Sequence, residues 1–126
     1  TLFSAGCGRL FEGSAEQLLN SLQALAALPE ETKVYCGHEY TLANLRFALT
    51  VEPDNDVIAQ RAQDVTTLRN KNTPSLPSTI ALERLMNPFL RTTQPTVIAS
   101  AEQYCGHKLT APVDVFTVLR EWKDHF

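Results

Sequence analysis

The sequence has no stretch where histidines and carboxylates crowd together, no Cys-x-x-Cys pair, no long apolar run and no excess of positive charge. Its three histidines, His38, His107 and His125, are scattered, so no local metal-ligand spacing is present. Three cysteines, Cys7, Cys36 and Cys105, are odd in number and widely separated. That excludes a closed disulfide framework and a thiolate zinc site and points to reduced thiols. No apolar run approaches the roughly 18 residues that would span a bilayer, and no signal-peptide pattern opens the chain. A net charge of −3 lacks the clustered basic surface that phosphate recognition requires. The expectation is a soluble, cytoplasmic protein with neither a membrane nor a nucleic-acid partner. Internal repeats and low-complexity tracts are absent as well.

What is there suits one domain, or one small domain plus part of another. The chain has 126 residues, 44% of them apolar and 20% charged, a balance that is too apolar for disorder. It opens on threonine, and its one methionine is Met86, so a processed, clipped or engineered piece is expected.

Two regimes follow one another. Residues 1–40 are β-flavoured around one helix. After the turn Gly6-Cys7-Gly8, Ser14 with Gln17 three residues on has the spacing of a capping box. Ala15, Leu18, Leu19, Leu22 and Leu25 form an apolar stripe, and Pro29 closes the segment. Lys33 to Cys36 reads as a strand, and strand, helix, strand in this order predicts an α/β layered sheet. Two strands and one helix bury too little surface to stand alone and leave open edges, so another part of the protein is expected to cover them. Residues 41–126 read as helical, with no clear strand. Helices are predicted from Thr41 to Thr50, through Val57, Ile58, Ala62, Val65 and Leu68, from Ile80 to Met86, from Thr96 to Tyr104, and from Pro112 onward. Between them, Asn72 to Thr79 reads as a proline-punctuated loop.

The motif that concentrates chemistry is Val34-Tyr35-Cys36-Gly37-His38-Glu39-Tyr40, where a histidine leaves a strand end just after a glycine. Together with Thr1-Leu2-Phe3, Gly6-Cys7-Gly8-Arg9, Thr41, Asn44, Pro77-Ser78-Thr79, Asn87-Pro88-Phe89-Leu90-Arg91 and Arg120-Glu121-Trp122-Lys123-Asp124, it resembles the glyoxalase II (hydroxyacylglutathione hydrolase) family of the metallo-β-lactamase superfamily. The resemblance covers the whole chain but about the second half of the family's length. It implies residues 1–40 as the last part of an αββα sandwich and residues 41–126 as an all-α domain that binds the glutathione thioester. It also implies hydrolysis of S-D-lactoylglutathione to D-lactate and glutathione at a dinuclear centre of zinc, iron or manganese. A hydroxide bridging two such metals is a strong nucleophile near neutral pH, because metal binding lowers the water pKa from about 15.7 to about 7.

On that resemblance His38 is one metal ligand. The other ligands, including an aspartate immediately before Thr1, belong to an upstream half, so the isolated chain is expected to be inactive and to hold metal weakly or not at all. Arg9, Arg120 and Lys123 are implied as a cationic cradle for glutathione's two carboxylates, against solvated turn and helix-end readings. Tyr40 and Asn44 match residues that contact the peptide part of glutathione. Phe11 stands where relatives carry tyrosine and can pack but not donate a hydroxyl bond. Glu39 is read as structural, as are Phe47, Phe89, Phe116 and Trp122, and Cys105-Gly106-His107 as a loop after a helix. Two alternatives stay open: a non-catalytic helical module that binds a thiol peptide or another chain, and another superfamily member such as a persulfide dioxygenase or an unrelated thioesterase.

Overall fold

The computed structural model describes residues 1–126 and is mostly helical, with two very small antiparallel strand pairs. In chain order the elements are β1 (Leu2–Phe3), β2 (Gly6–Cys7), α1 (Ala15–Ala26), β3 (Lys33–Val34), α2 (Thr41–Val51), α3 (Asp56–Asn70), β4 (Ser78–Thr79), α4 (Ile80–Met86), a 3₁₀ turn (Pro88–Leu90), α5 (Pro95–Cys105) and α6 (Pro112–Asp124).

The helices form where spacing and caps place them. Ser14 caps α1, its hydroxyl accepting from Gln17 N while Gln17 returns a side-chain bond to Ser14 N. That helix stops at Ala26, before Pro29, and Arg84 of α4 donates to the otherwise orphaned carbonyls of Ala26 and Leu28 at 2.6 and 3.1 Å. Pro95 and Pro112 open α5 and α6, and Gly106 closes α5 in the left-handed region at φ 82°. Helix α2 is buried on several sides. Phe47 and Val51 join one core with Leu19, Leu22, Phe89, Val97, Ala101, Val115, Phe116 and Leu119. Leu45 and Ala48 join a second with Ala5, Ile58, Val65 and Met86. A helix shared by two cores is the axle of the fold.

The expected α/β layered sheet is corrected in two respects. The opening strands β1 and β2 pair with each other, in register Leu2 to Cys7 and Phe3 to Gly6, because the chain reverses at Ser4-Ala5, with Ala5 at φ 59°. The strand read at Lys33 to Cys36 survives as β3 and pairs antiparallel with β4, which lies inside the segment read as a strandless loop. Two-residue strands carry too little alternation to show a period. The first forty residues also do not pack by themselves. Leu19 and Leu22 of α1 share their core with α2, α5 and α6.

One buried carboxyl pins the opening hairpin to the helices. Glu83 of α4 is fully buried, and its Oε1 accepts from Ala5 N at 2.8 Å and Asn87 Nδ2 at 3.0 Å. Its Oε2 meets the hydroxyls of Ser4 at 3.1 Å and Ser78 at 2.6 Å. Asn87 also donates to the carbonyls of Phe3 and Gly6, and Asn44 donates to that of Ser4 at 3.0 Å. Gly6 is required here, since a Cβ would stand 2.6 Å from Asn44 Nδ2. No cation pairs with Glu83, and burial pushes its pKa up despite four donors. Both donors on Oε1 are fixed N–H groups, whereas both partners of Oε2 are hydroxyls that can turn to accept, so Oε2 is the atom suited to carry a proton.

A second buried carboxylate is charged. Burial alone would raise Glu52, but bonds from Arg91, Thr96 and Asn55 outweigh it and hold the group below the ordinary carboxylate range. Arg91 makes a two-pronged pair with Glu52 at 2.7 and 2.9 Å, joining α2 to the segment before α5.

The two groups respond oppositely to pH. A raised carboxyl stabilises the fold below its unfolded pKa and loses that contribution as pH climbs through the folded value. A depressed one contributes above its unfolded pKa and loses it as pH falls through the folded value. Urea unfolding of Glu83→Gln is expected to show near-native stability that improves relative to the native chain as pH climbs above the ordinary carboxylate range, with Gln Nε2 donating to the two hydroxyls. A parallel pH dependence of the two proteins would contradict it. Arg91→Ala is expected to cost about 3 kcal/mol at neutral pH by stranding Glu52, and less in acid.

Candidate functional site

All seven residues singled out from the sequence, Arg9, Phe11, His38, Tyr40, Asn44, Arg120 and Lys123, line a single open hollow of about 580 Å³. Phe3, Cys7, Gly8 and Ala43 complete its wall. Three parts of the chain meet there: the opening hairpin and the loop leaving it, the segment that enters α2, and the last turns of α6.

The hairpin carries the floor. Gly8 N donates to Thr1 O at 2.8 Å, extending the β1–β2 pairing by one bond and aiming the loop that bears Arg9 and Phe11. Arg9 is two-thirds exposed at its side chain, and Phe11 is 84% exposed, so its ring has almost no cover within the chain. Opposite them stands an aromatic group. The His38 imidazole stacks on Tyr40 with centroids 5.0 Å apart and planes 8° from parallel, and Phe3 tilts against both. Tyr40 sits at the position just before α2, half exposed, while Asn44 one turn on is buried with one amide N–H on Ser4 O.

Arg120 lines the hollow and is also held by partners within the chain. Its guanidinium is buried, donating to Cys7 O at 2.8 Å, to Gly8 O at 3.1 Å and to Asp124 Oδ1 at 3.0 and 3.2 Å. It also lies 5.1 Å from the centre of the Phe89 ring. These bonds lock α6 to the loop that presents Arg9, so Arg120 shapes the hollow more than it faces into it. Lys123, one turn further, is the half-buried cation of the pair. Burial first, then the Arg120 guanidinium, lowers its pKa from the usual lysine value.

Cys7, Phe3 and Asp124 were not marked as site residues in the sequence. Cys7 is buried against Arg120, and burial outweighs that cation, pushing its thiol up to about 11. It stays a neutral thiol at physiological pH, as a small packing residue does. Only its place in the Gly6-Cys7-Gly8-Arg9 motif hinted at a position on the hollow. Asp124, within the terminal motif, turns out to contact both arginines.

Glu39 points away from this hollow, its carboxylate bonded to the backbone N and hydroxyl of Ser75, which in turn meets Thr41. Cys105, Gly106 and His107 form the end of α5 and the turn beyond it, where the Cys105 thiol lies 3.4 Å from His107 O. No three His, Cys, Asp or Glu side chains come together anywhere in the chain as a metal-binding group. His38 can therefore offer one imidazole to a metal, and the residues present do not by themselves fit a dinuclear centre.

A second open groove, about 620 Å³, is lined by Glu52, Asp54, Asp56 and Arg91 among others. Its charge is of the wrong sign for an anionic ligand, whereas the hollow beside α6 gathers Arg9, Arg120 and Lys123.

Residues 39–126 match the family described as "Hydroxyacylglutathione hydrolase C-terminus". A hydroxyacylglutathione hydrolase of Pseudomonas putida (strain GB-1) is 60% identical over 126 residues, covering 100% of this chain and 49% of that protein. The corresponding protein of Nitrosomonas europaea is 52% identical over the same span, which is 48% of its length. That of Vibrio parahaemolyticus is 55% identical over 125 residues, covering 99% of this chain and 49% of its own. The chain thus spans about half the length of the curated relatives it matches. A match over most of the chain, from the residue after His38 to the last, shows that it belongs to the hydroxyacylglutathione hydrolase C-terminus family.

Proposed function

We propose that this chain supplies the glutathione-binding side of a metal-dependent hydroxyacylglutathione hydrolase, which cleaves S-D-lactoylglutathione to glutathione and D-lactate. One observation carries the reading: three separate chain segments bring a lone imidazole, an aromatic wall and a cationic cluster to one hollow. In this reading residues 1–40 complete the metallo-β-lactamase layer of a longer cytoplasmic protein and residues 41–126 form its helical domain.

Glutathione's two carboxylates call for cations, and Arg9 and Lys123 are more accessible than the buried Arg120. Arg120 holds the Cys7–Gly8 carbonyls so that Arg9 stands at the correct edge. Tyr40, Phe3 and Phe11 give the peptide stems apolar surface, and Asn44 offers amide chemistry beside them. His38, fixed by its stack on Tyr40, lends one ligand to a zinc, iron or manganese pair whose other ligands lie outside this chain. Such a pair, held with ligands from outside this chain, would supply a nucleophilic hydroxide and Lewis acidity. This chain's own part is to bind, orient and align the thioester with respect to His38.

A second reading, glutathione binding without hydrolysis, applies to the chain taken alone, because it gathers no metal-binding group. Purified alone, the chain is expected to hold no stoichiometric metal by elemental analysis and to leave lactoylglutathione intact. Joined to the upstream half of the Pseudomonas putida relative, it is expected to hydrolyse that thioester. Stoichiometric metal with activity in the chain alone, or an inactive chimera that folds, would contradict the assignment.

Calorimetric titration tests the cationic side directly. Glutathione affinity is expected to fall as pH rises through the lowered Lys123 pKa, because the neutral amine no longer attracts a carboxylate. Lys123→Arg is expected to remove that alkaline loss. An affinity flat across the alkaline range in the native chain would take Lys123 out of the site.

A further inference from the structure

Beside the hollow, two arginines share one carboxylate. Asp124 Oδ1 lies 3.0 and 3.2 Å from Arg120 Nη2 and Nε and 3.7 Å from Arg9 Nε. The two arginines are held very differently. The Arg120 side chain is 4% exposed and is also fixed by the carbonyls of Cys7 and Gly8. That of Arg9 is 66% exposed, and its contact with Asp124 is long. Lys123 precedes Asp124 on the same turn, half-buried among these charges.

We propose that Asp124 is a resident counter-carboxylate, which holds Arg9 beside the hollow until a carboxylate of a glutathione-class ligand takes its place on Arg9. This rests on the reading of the hollow as a glutathione site. A short, buried, multiply bonded pair persists, whereas a long pair between exposed groups is weak and readily exchanged. Arg120 therefore keeps Asp124, and Arg9 is the cation that changes partner. The device tempers the binding of anionic ligands, because only they must displace Asp124 from Arg9. A carboxylate can replace Asp124 on Arg9, whereas a neutral or esterified ligand offers Arg9 nothing in return. Asp124 thus sets how far glutathione is preferred over its esterified form, with no contact to the reacting atoms.

Asp124→Asn retains an oxygen to accept from Arg120 while deleting the competing charge. Calorimetry is expected to show glutathione binding the variant about two- to fivefold more tightly than the native chain, a gain that shrinks as salt is raised. The gain is expected to vanish in an Arg9→Gln background, since a double-mutant cycle isolates the pairwise coupling. Glutathione with both carboxylates esterified is expected to show no gain. Equal or weaker binding by Asp124→Asn, or a gain that persists without Arg9, overturns the exchange. Should the variant fail to fold, nitrogen NMR on the unaltered chain decides the matter. Glutathione is expected to move the Arg9 Nε resonance and leave that of Arg120 in place, and the reverse overturns the proposal. A native chain that binds no glutathione overturns the reading of the hollow itself, whereas binding without the gain overturns only the role of Asp124.

Discussion

Glu83 is buried without a cation, and the opening hairpin depends on it. Its two oxygens gather a backbone N–H from Ala5, an amide from Asn87 and hydroxyls from Ser4 and Ser78, groups that come from three different parts of the chain. A buried carboxyl without a counter-charge is tolerable when it keeps its proton and all its neighbours are satisfied. The result is that a two-residue hairpin, far too small to persist alone, is held against α2 and α4. Everything on the floor of the hollow, from Phe3 to Arg9, hangs from that attachment.

A second clamp acts from the other side. Arg120 ties α6 to the same hairpin through the carbonyls of Cys7 and Gly8. Between them, Glu83 and Arg120 fix the hairpin at its turn and at its exit. The hollow is therefore a product of tertiary contacts between residues 78 to 113 positions apart in sequence, not of any local motif. One cation of the terminal motif is thus buried as a brace, while Lys123 and Arg9 are more exposed beside the hollow.

How much of this the sequence disclosed follows from the length of each signal. Helices of ten residues or more repeat their apolar positions several times, and the Ser14 cap and Pro112 start added local chemistry, so those elements were legible. Ser78–Thr79 was hidden inside a proline-rich loop, and its pairing with β3 has no trace in either segment alone. The residues lining the hollow were found by family resemblance, and the structure brings them together. Arg120 shows the limit of that route. Its spacing from Lys123 put both on one helical side, but only packing against Cys7 and Phe89 distinguishes a brace from a ligand-facing cation. Glu83 and Asp124 escaped notice because an isolated acid in a helix reads as solvated, and burial or a shared partner is invisible in one dimension.

In the proposed function an anionic thiol peptide enters the hollow between the hairpin and α6. Backbone chemical-shift mapping of the chain with glutathione tests it most directly, because a second groove of similar size offers an internal control. Shifts confined to residues 3–11, 38–44 and 120–124 are the predicted outcome. Shifts centred instead on Glu52 to Val57 and Thr96 to Ser100 would contradict the account.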